Sequence, residues 1–303
     1  MERRVLLEML AEAATGAEVV NEDELPDPDE PVSLEIIADP YLVEPVDPTI
    51  DPSAIDEDTL LKPSQAGQDL LFVGSVLERW LRDCPSGSLE LGPDSAPALS
   101  ALLNGWSSSV IHALAAKPLT TAEIVKGIGV LDYDTVEERV EEMVDADLLI
   151  VLDAAAVGAE ERFAATEWLR TAIAPLATAA RQELRHPLDD TAPIAALDVQ
   201  AAFLLTLPLL KLPVELSGTC SLAVDLDEGV VGSPTGVTAR IEKGELISCE
   251  ARLTDAADAW ATASAPDWLD AVIDRDSGRV RSDGDDALIT AVLRELHEAL
   301  FAP

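Results

Sequence analysis

Leu119-Thr120-Thr121-Ala122-Glu123-Ile124-Val125-Lys126-Gly127-Ile128-Gly129 announces a short helix at both of its ends. Thr120 and Glu123 have the spacing of a capping box, in which the hydroxyl and the carboxylate each satisfy a backbone N–H that the first helical turn leaves without a partner. Leu119 and Ile124 flank the box as a hydrophobic staple, so the helix opens at Thr121. The glycine turn 127–129 closes it. Asp134 is expected to cap the next helix, which turns Val136, Val140, Met143 and Val144 inward. An apolar run over 148–152, a turn over 153–161 and a return over 162–165 predict a hairpin. Thr166 then starts a long helix with Trp168, Leu169, Ile173 and Leu176 facing in.

Upstream, Lys117-Pro118 stops a helix expected over 96–116, with Leu99, Leu102, Leu103, Trp106, Val110, Ile111 and Leu114 on one face. Before it, Ser64 caps a helix bearing Leu70, Val73, Leu77, Trp80 and Leu81, which residues 84–87 end. Helix, helix, turn, helix, strand, turn, strand, helix is the order of a winged helix, where two helices form a platform, the third projects towards a groove and the hairpin flanks it. An internal repeat relates residues 2–10 to 138–144, and 77–82 to 181–185. Residues 1–82 thus read as the second half of a further winged helix. Its wing is replaced by residues 22–58, which hold 14 acidic residues, 7 prolines and no Lys or Arg. Charge repulsion and missing amide donors make that segment a solvated loop with short extended pieces at most.

Beyond residue 195 the texture changes. An apolar helix after Asp198 gives way to alternating stretches over 219–226, 236–242 and 245–253, read as antiparallel strands. Asp255 is expected to begin a helix through Trp260, Pro266 another through Trp268 and Ile273, and Gly284-Asp285 a last one reaching Phe301. One sheet covered by helices is the expected α+β arrangement.

A chain of 303 residues predicts two or three domains, and 48% hydrophobic residues with only 4% aromatics leave Leu, Val, Ile and Ala to fill the cores. The net charge of −38 repels nucleic acid and anionic membranes at long range, so any contact with DNA has to be local. An acid-rich surface equally fits adaptation to salt. Cys84, Cys220 and Cys249 form an odd set without CxxC spacing, against a disulfide framework or a zinc site and in favour of a reducing, cytoplasmic location. The opening Met-Glu-Arg-Arg lacks the apolar stretch of a signal peptide, and the longest apolar run, 201–212, is interrupted by Thr206, Pro208 and Lys211. No membrane contact is expected.

Residues 99–185, with Trp106-Ser107-Ser108, Leu119-Thr120, Tyr133-Asp134 and the Trp168-Leu169-Arg170 helix, resemble HxlR-type winged-helix transcription regulators of actinobacterial character, some of which carry two winged helices. Residues 214–301 are similar to the sterol-carrier-like domains fused to such regulators, through residues 236–241, Gly244-Glu245-Leu246, Trp260, Trp268 and residues 282–285. The resemblance implies a DNA-binding regulator with an apolar ligand tunnel. It implies a partial winged helix over 1–82 carrying the acidic, proline-rich insertion 22–58, a winged helix over 83–186, and a sterol-carrier-like domain over 195–303. The family's N-terminal cysteine-containing segment and first two helices have no counterpart, so the first DNA reader is incomplete. In the second, residues 132–147 contain eight acidic side chains against Arg139 alone.

The DNA-facing candidates are Thr120, Thr121, Lys126, Tyr133, Thr135, Arg139 and Arg162. The ligand-pocket candidates are Phe203, Leu222, Val224, Val237, Ile241, Trp260, Trp268 and Phe301. His112, His186 and His297 are scattered, and no GxSxG, HExxH, GxGxxG or P-loop pattern occurs, so neither catalysis, metal nor cofactor is expected. Two functions stand side by side: a DNA-binding regulator responsive to a small apolar ligand, and a diverged acidic winged-helix protein that no longer binds DNA and acts as a protein-partner or lipid-binding module; a homodimer is a partner open to either. A continuous basic strip across Lys117, Lys126, Arg139 and Arg162 would favour the first, and an acidic surface there the second.

Overall fold

The computed structural model describes residues 42–46, 49, 61–103, 105–152, 160–187, 195–225 and 234–302. The repeat segment 2–10 and most of residues 22–58 lie outside them. What is described of that acidic stretch includes β1 (Val43–Pro45), paired antiparallel with β2 (Leu61–Pro63). The Leu42 carbonyl accepts from the Ser64 N–H at 2.9 Å, and a Cβ at Gly67 would stand 2.1 Å from the same oxygen. Part of the segment expected to be solvated loop is therefore hydrogen-bonded and pressed against a helix, at a position that only glycine fits.

That helix, α1 (Gln65–Arg82), begins where the sequence predicts, with the Ser64 hydroxyl accepting from the Gly67 N–H. Within the helix expected over 96–116, the described residues form α2 (Ala96–Leu103) and α3 (Gly105–Leu114), with residue 104 between them outside the described set. Trp106, expected to face inward, is exposed. α4 (Thr121–Ile128) carries the complete box: Glu123 N–H to Thr120 Oγ1 at 3.2 Å and Thr120 N–H to Glu123 Oε2 at 3.0 Å. Gly129 ends it at φ +73°. α5 (Tyr133–Asp145) is capped by Asp132 rather than by Asp134; Asp132 is extended, and its carboxylate accepts from the Thr135 N–H at 2.8 Å. Asp134 falls in the first turn, where negative charge suits the helix dipole.

β3 (Leu149–Leu152) and β4 (Arg162–Ala165) pair antiparallel, and Leu119 bridges to Phe163 on the other side of β4. The long helix expected after Thr166 comes in two pieces, α6 (Glu167–Thr171) and α7 (Ile173–Arg185). α1 packs along α7. Where it meets α6 the rings of Trp80 and Trp168 stack at 4.4 Å and 6°. Each indole N–H donates to the other tryptophan's carbonyl, at 2.9 and 2.8 Å. The contact brings Trp80, within the 77–82 stretch of the sequence repeat, against Trp168 at the start of α6 rather than against residues 181–185.

The C-terminal part runs α8 (Ala196–Thr206), β5 (Gly218–Val224), β6 (Thr235–Glu242), β7 (Glu245–Glu250), β8 (Ala259–Ala263), α9 (Ala265–Ile273), β9 (Arg281–Gly284) and α10 (Asp286–Phe301). Its sheet has the order β7-β6-β5-β8-β9, antiparallel except for the parallel pair β5–β8. The helix expected from Asp255 through Trp260 is corrected here: Trp260 lies in β8, where Ala259, Ala261 and Ala263 are buried in alternation with it. Period-two burial beside β5 overrides alanine's helix preference.

Arginines tie the two parts together. Arg79 Nη1 donates to the Phe301 carbonyl at 2.9 Å, and Arg170 Nη1 to the Leu205 carbonyl at 3.0 Å, so each closes the C-terminal end of a helix. Arg185 bridges Asp270 and Asp274 at 2.9 and 2.7 Å. One apolar cluster extends from Val73 to Leu300. The fold is mixed helix and sheet, and no helix among the described residues is long and apolar enough to cross a membrane.

Candidate functional site

The surface built by α4, α5 and the β3–β4 hairpin carries the seven DNA-facing candidates, and five of them are buried, half-buried or paired with a carboxylate. Thr120 and Thr121 are buried, the first with its hydroxyl engaged in the cap of α4. Thr135 is half-buried behind the Asp132 cap. Arg162 Nη2 contacts both oxygens of Glu123, at 3.1 and 3.0 Å, while its Nη1 reaches the Pro118 carbonyl. Arg139 is ion-paired with Glu142 one turn along α5 and lies 3.7 Å from Glu138. Lys126 and Tyr133 are exposed, Tyr133 to 47%.

Around these groups α5 exposes Asp134, Glu137, Glu138, Glu141 and Asp145. The basic strip across Lys117, Lys126, Arg139 and Arg162 is therefore interrupted: two of its four members face carboxylates of the same surface. The Thr120 N–H, with Arg162 and Lys117 nearby, holds the Glu123 carboxyl below its ordinary value, and the Thr135 N–H does the same for Asp132.

The pocket candidates divide differently. Leu222, Val224, Val237 and Ile241 share one face of the sheet and have essentially no accessible surface. Phe203 of α8 meets Trp268 of α9 edge-on at 4.9 Å, and the Trp268 indole donates to the Ala223 carbonyl at 2.9 Å. A ligand tunnel would leave its lining exposed to a probe the size of water, so these six residues form a filled core rather than a pocket. Trp260 belongs to the opposite face, opposite Ser221 and Asp283 in register, and Phe301 is half-buried at the end of α10. The corrected picture is a solid sheet–helix layer. A surface groove of about 520 Å³ lies instead between Pro213, Glu215 and Leu216 on one side and Ala287, Thr290 and Arg294 of α10 on the other, and shares none of the expected residues.

The histidines have structural partners: His112 with Asp198 at 3.3 Å, His186 with Asp69 at 3.0 Å, and His297 with the Val272 carbonyl at 2.9 Å. No group of three or more His, Cys, Asp or Glu able to hold a metal occurs among the described residues. Sequence reasoning located the acidic face of α5 but missed the outer edge of β3, where Ile150 and Val151 are exposed. Their exposure depends on what packs beside the hairpin, which apolar periodicity does not encode.

No known protein family and no curated protein matches the chain.

Proposed function

We propose that this chain is a non-enzymatic, diverged winged-helix protein, HxlR-like in its second reader, that has given up DNA and uses α5 and the β3–β4 wing to meet a protein partner. The observation that carries this reading is the set of five exposed carboxylates on α5, the helix that would enter a groove, with Arg139 and Arg162 neutralised beside it. Phosphate contacts come from Lys, Arg and neutral donors, and affinity for DNA grows with each phosphate neutralised. Here the local field adds to the −38 of the whole chain instead of opposing it.

The order of helices and hairpin favours the competing reading, a DNA-binding regulator, but that order speaks to fold and not to function. The C-terminal part serves, on the proposed reading, as a rigid sterol-carrier-like mount. Its filled core and the arginine ties from α1, α6 and α7 support mounting over ligand uptake.

Fluorescence anisotropy with a labelled mixed-sequence duplex tests the proposal. Non-specific DNA binders have dissociation constants of roughly 10⁻⁴–10⁻⁶ M at physiological salt and bind far more tightly at low salt. The intact chain should give no saturable signal even at low salt. Saturable binding that weakens steeply with added salt would restore the DNA-binding reading.

A further inference from the structure

Among the described residues, β3 differs from the other edge strands. β9 carries Arg281 and Asp283, β7 carries Glu245 and Glu250, and the β1–β2 ribbon carries Glu44, Lys62 and a proline in each strand. Charges and prolines are the usual means by which an edge refuses an added strand. β3, Leu149-Ile150-Val151-Leu152, has neither.

The phase of its hydrogen bonds follows from its neighbours. Phe163 exchanges both backbone bonds with Leu119, at 3.1 and 2.8 Å, on the side of β4 away from β3. Backbone groups of successive residues in an antiparallel ladder point to alternate sides. Arg162 and Ala164 therefore face β3, where their register partners are Leu152 and Ile150. The Thr166 N–H donating to the Leu148 carbonyl at 3.1 Å keeps the same phase. Leu149 and Val151 are left with N–H and C=O directed outward, with no strand against them among the described residues. The side chains of Ile150 and Val151, 46% and 42% exposed, project to opposite faces, so an added strand would cover apolar surface on both.

Charge around this edge selects its occupant. α5 packs on β3, and its C-terminal end brings the negative pole of the helix together with Asp145 and, just beyond, Asp147. Exposed Glu160 and Glu161 precede β4 at the other end of the hairpin. A second copy of the chain would set these carboxylates against their own kind. We infer that β3 accepts, as an added strand, an extended apolar segment of a partner protein flanked by Lys or Arg. This inference rests on the protein-partner reading above. Outward backbone groups supply affinity, the exposed Ile150 and Val151 supply apolar cover, and the acidic surround selects basic flanks.

The test uses the full chain and a fluorescein-labelled peptide of alternating valine and threonine with lysines at both ends. A second peptide has the same core and glutamates at its ends. The lysine peptide should bind saturably, more weakly as salt rises, and at least roughly tenfold more tightly than the glutamate peptide. Val151→Pro removes an outward N–H without touching the bonds between β3 and β4, and should weaken the lysine peptide by roughly tenfold or more. Ile150→Lys opposes it by charge and carries the same expectation should the proline variant fail to fold. Equal binding of both peptides, undiminished binding by the folded variants, or no peptide binding overturns the inference. Self-association of the free chain that Ile150→Lys abolishes also overturns it, by assigning the edge to a second copy. If the unaltered chain binds duplex DNA, the parent reading fails; if it binds neither DNA nor peptide, only strand addition fails.

Discussion

Replacing Trp80 should destabilise the whole molecule, and the reciprocal geometry of the tryptophan pair sets how much. Trp80 is buried, and truncating a buried tryptophan to alanine typically costs about 3–5 kcal/mol, with a stacked aromatic partner adding about 0.5–1.5 kcal/mol. Trp80→Phe is more informative. It keeps a ring against Trp168 but removes the N–H that reaches the Trp168 carbonyl. That carbonyl also accepts from the Ala172 N–H at 3.1 Å and from Thr171 Oγ1 at 2.9 Å, so it is not orphaned. The lost bond is then worth only about 0.5–1.5 kcal/mol, to which the smaller ring adds about 1 kcal/mol of cavity. Trp168→Phe should cost nearly the same, because its N–H makes the mirror bond and the Trp80 carbonyl keeps the Asp83 N–H at 3.2 Å. In the double variant the two losses should fall short of additivity by more than about 0.5 kcal/mol, since each ring is the other's contact. Urea unfolding followed by circular dichroism gives all three values. A Trp80→Ala cost below about 2 kcal/mol, or strict additivity of the phenylalanine variants, would refute the claim that this pair joins α1 to α6.

Thr120→Ala removes the cap of α4 and should cost about 1 kcal/mol in the same assay. The cap also makes α4 acid-sensitive: the carboxyl of Glu123 titrates below its ordinary 4.5, so its stabilisation is present above that pH and is lost as pH falls through the lowered value. Amide exchange in the first turn of α4, corrected for intrinsic rate, should show protection falling below about pH 4.5. Gly236→Ala would set a Cβ 2.2 Å from the Leu222 carbonyl oxygen and should destabilise by about 1–3 kcal/mol, read as a lower urea midpoint. Burial pushes the thiols of Cys220 and Cys249 up to about 12, so both should resist iodoacetamide at neutral pH until the chain is unfolded, a point that mass spectrometry of the labelled protein settles.

What the sequence made legible was local chemistry. Ser64, Thr120 with Glu123, and Thr166 act as N-caps because a short polar side chain before an apolar run has few other places to bond. What stayed hidden depended on contacts distant in the chain. β8 is alanine-rich and reads as helix until its parallel pairing with β5 imposes a period of two. β9 is polar throughout and is a strand only because β8 offers an edge. The expected pocket failed for a related reason: Leu222, Val224, Val237 and Ile241 were correctly placed on one face, but whether a layer closes over them is settled by the volumes of Phe203 and Trp268, which sequence spacing does not reveal. On the candidate surface the acidic character of α5 was readable from composition. The pairing of Arg162 with Glu123 was not, because it joins residues on opposite sides of α5 in the chain.

The central claim is that the charge of α5 keeps DNA off the surface it shares with the β3–β4 hairpin, and inverting that charge tests it most directly. Glu137, Glu138 and Glu141 are exposed, so Glu137→Lys, Glu138→Lys and Glu141→Lys together leave the buried Val136, Val140 and Met143 in place. The account predicts that the unaltered chain shows no saturable change in the anisotropy of a labelled duplex at low salt. The triple variant should gain binding whose logarithm falls with the logarithm of salt concentration with a slope of roughly −0.9 for each phosphate newly contacted. Tight, salt-sensitive binding by the unaltered chain, weakened rather than created by the lysines, would contradict it.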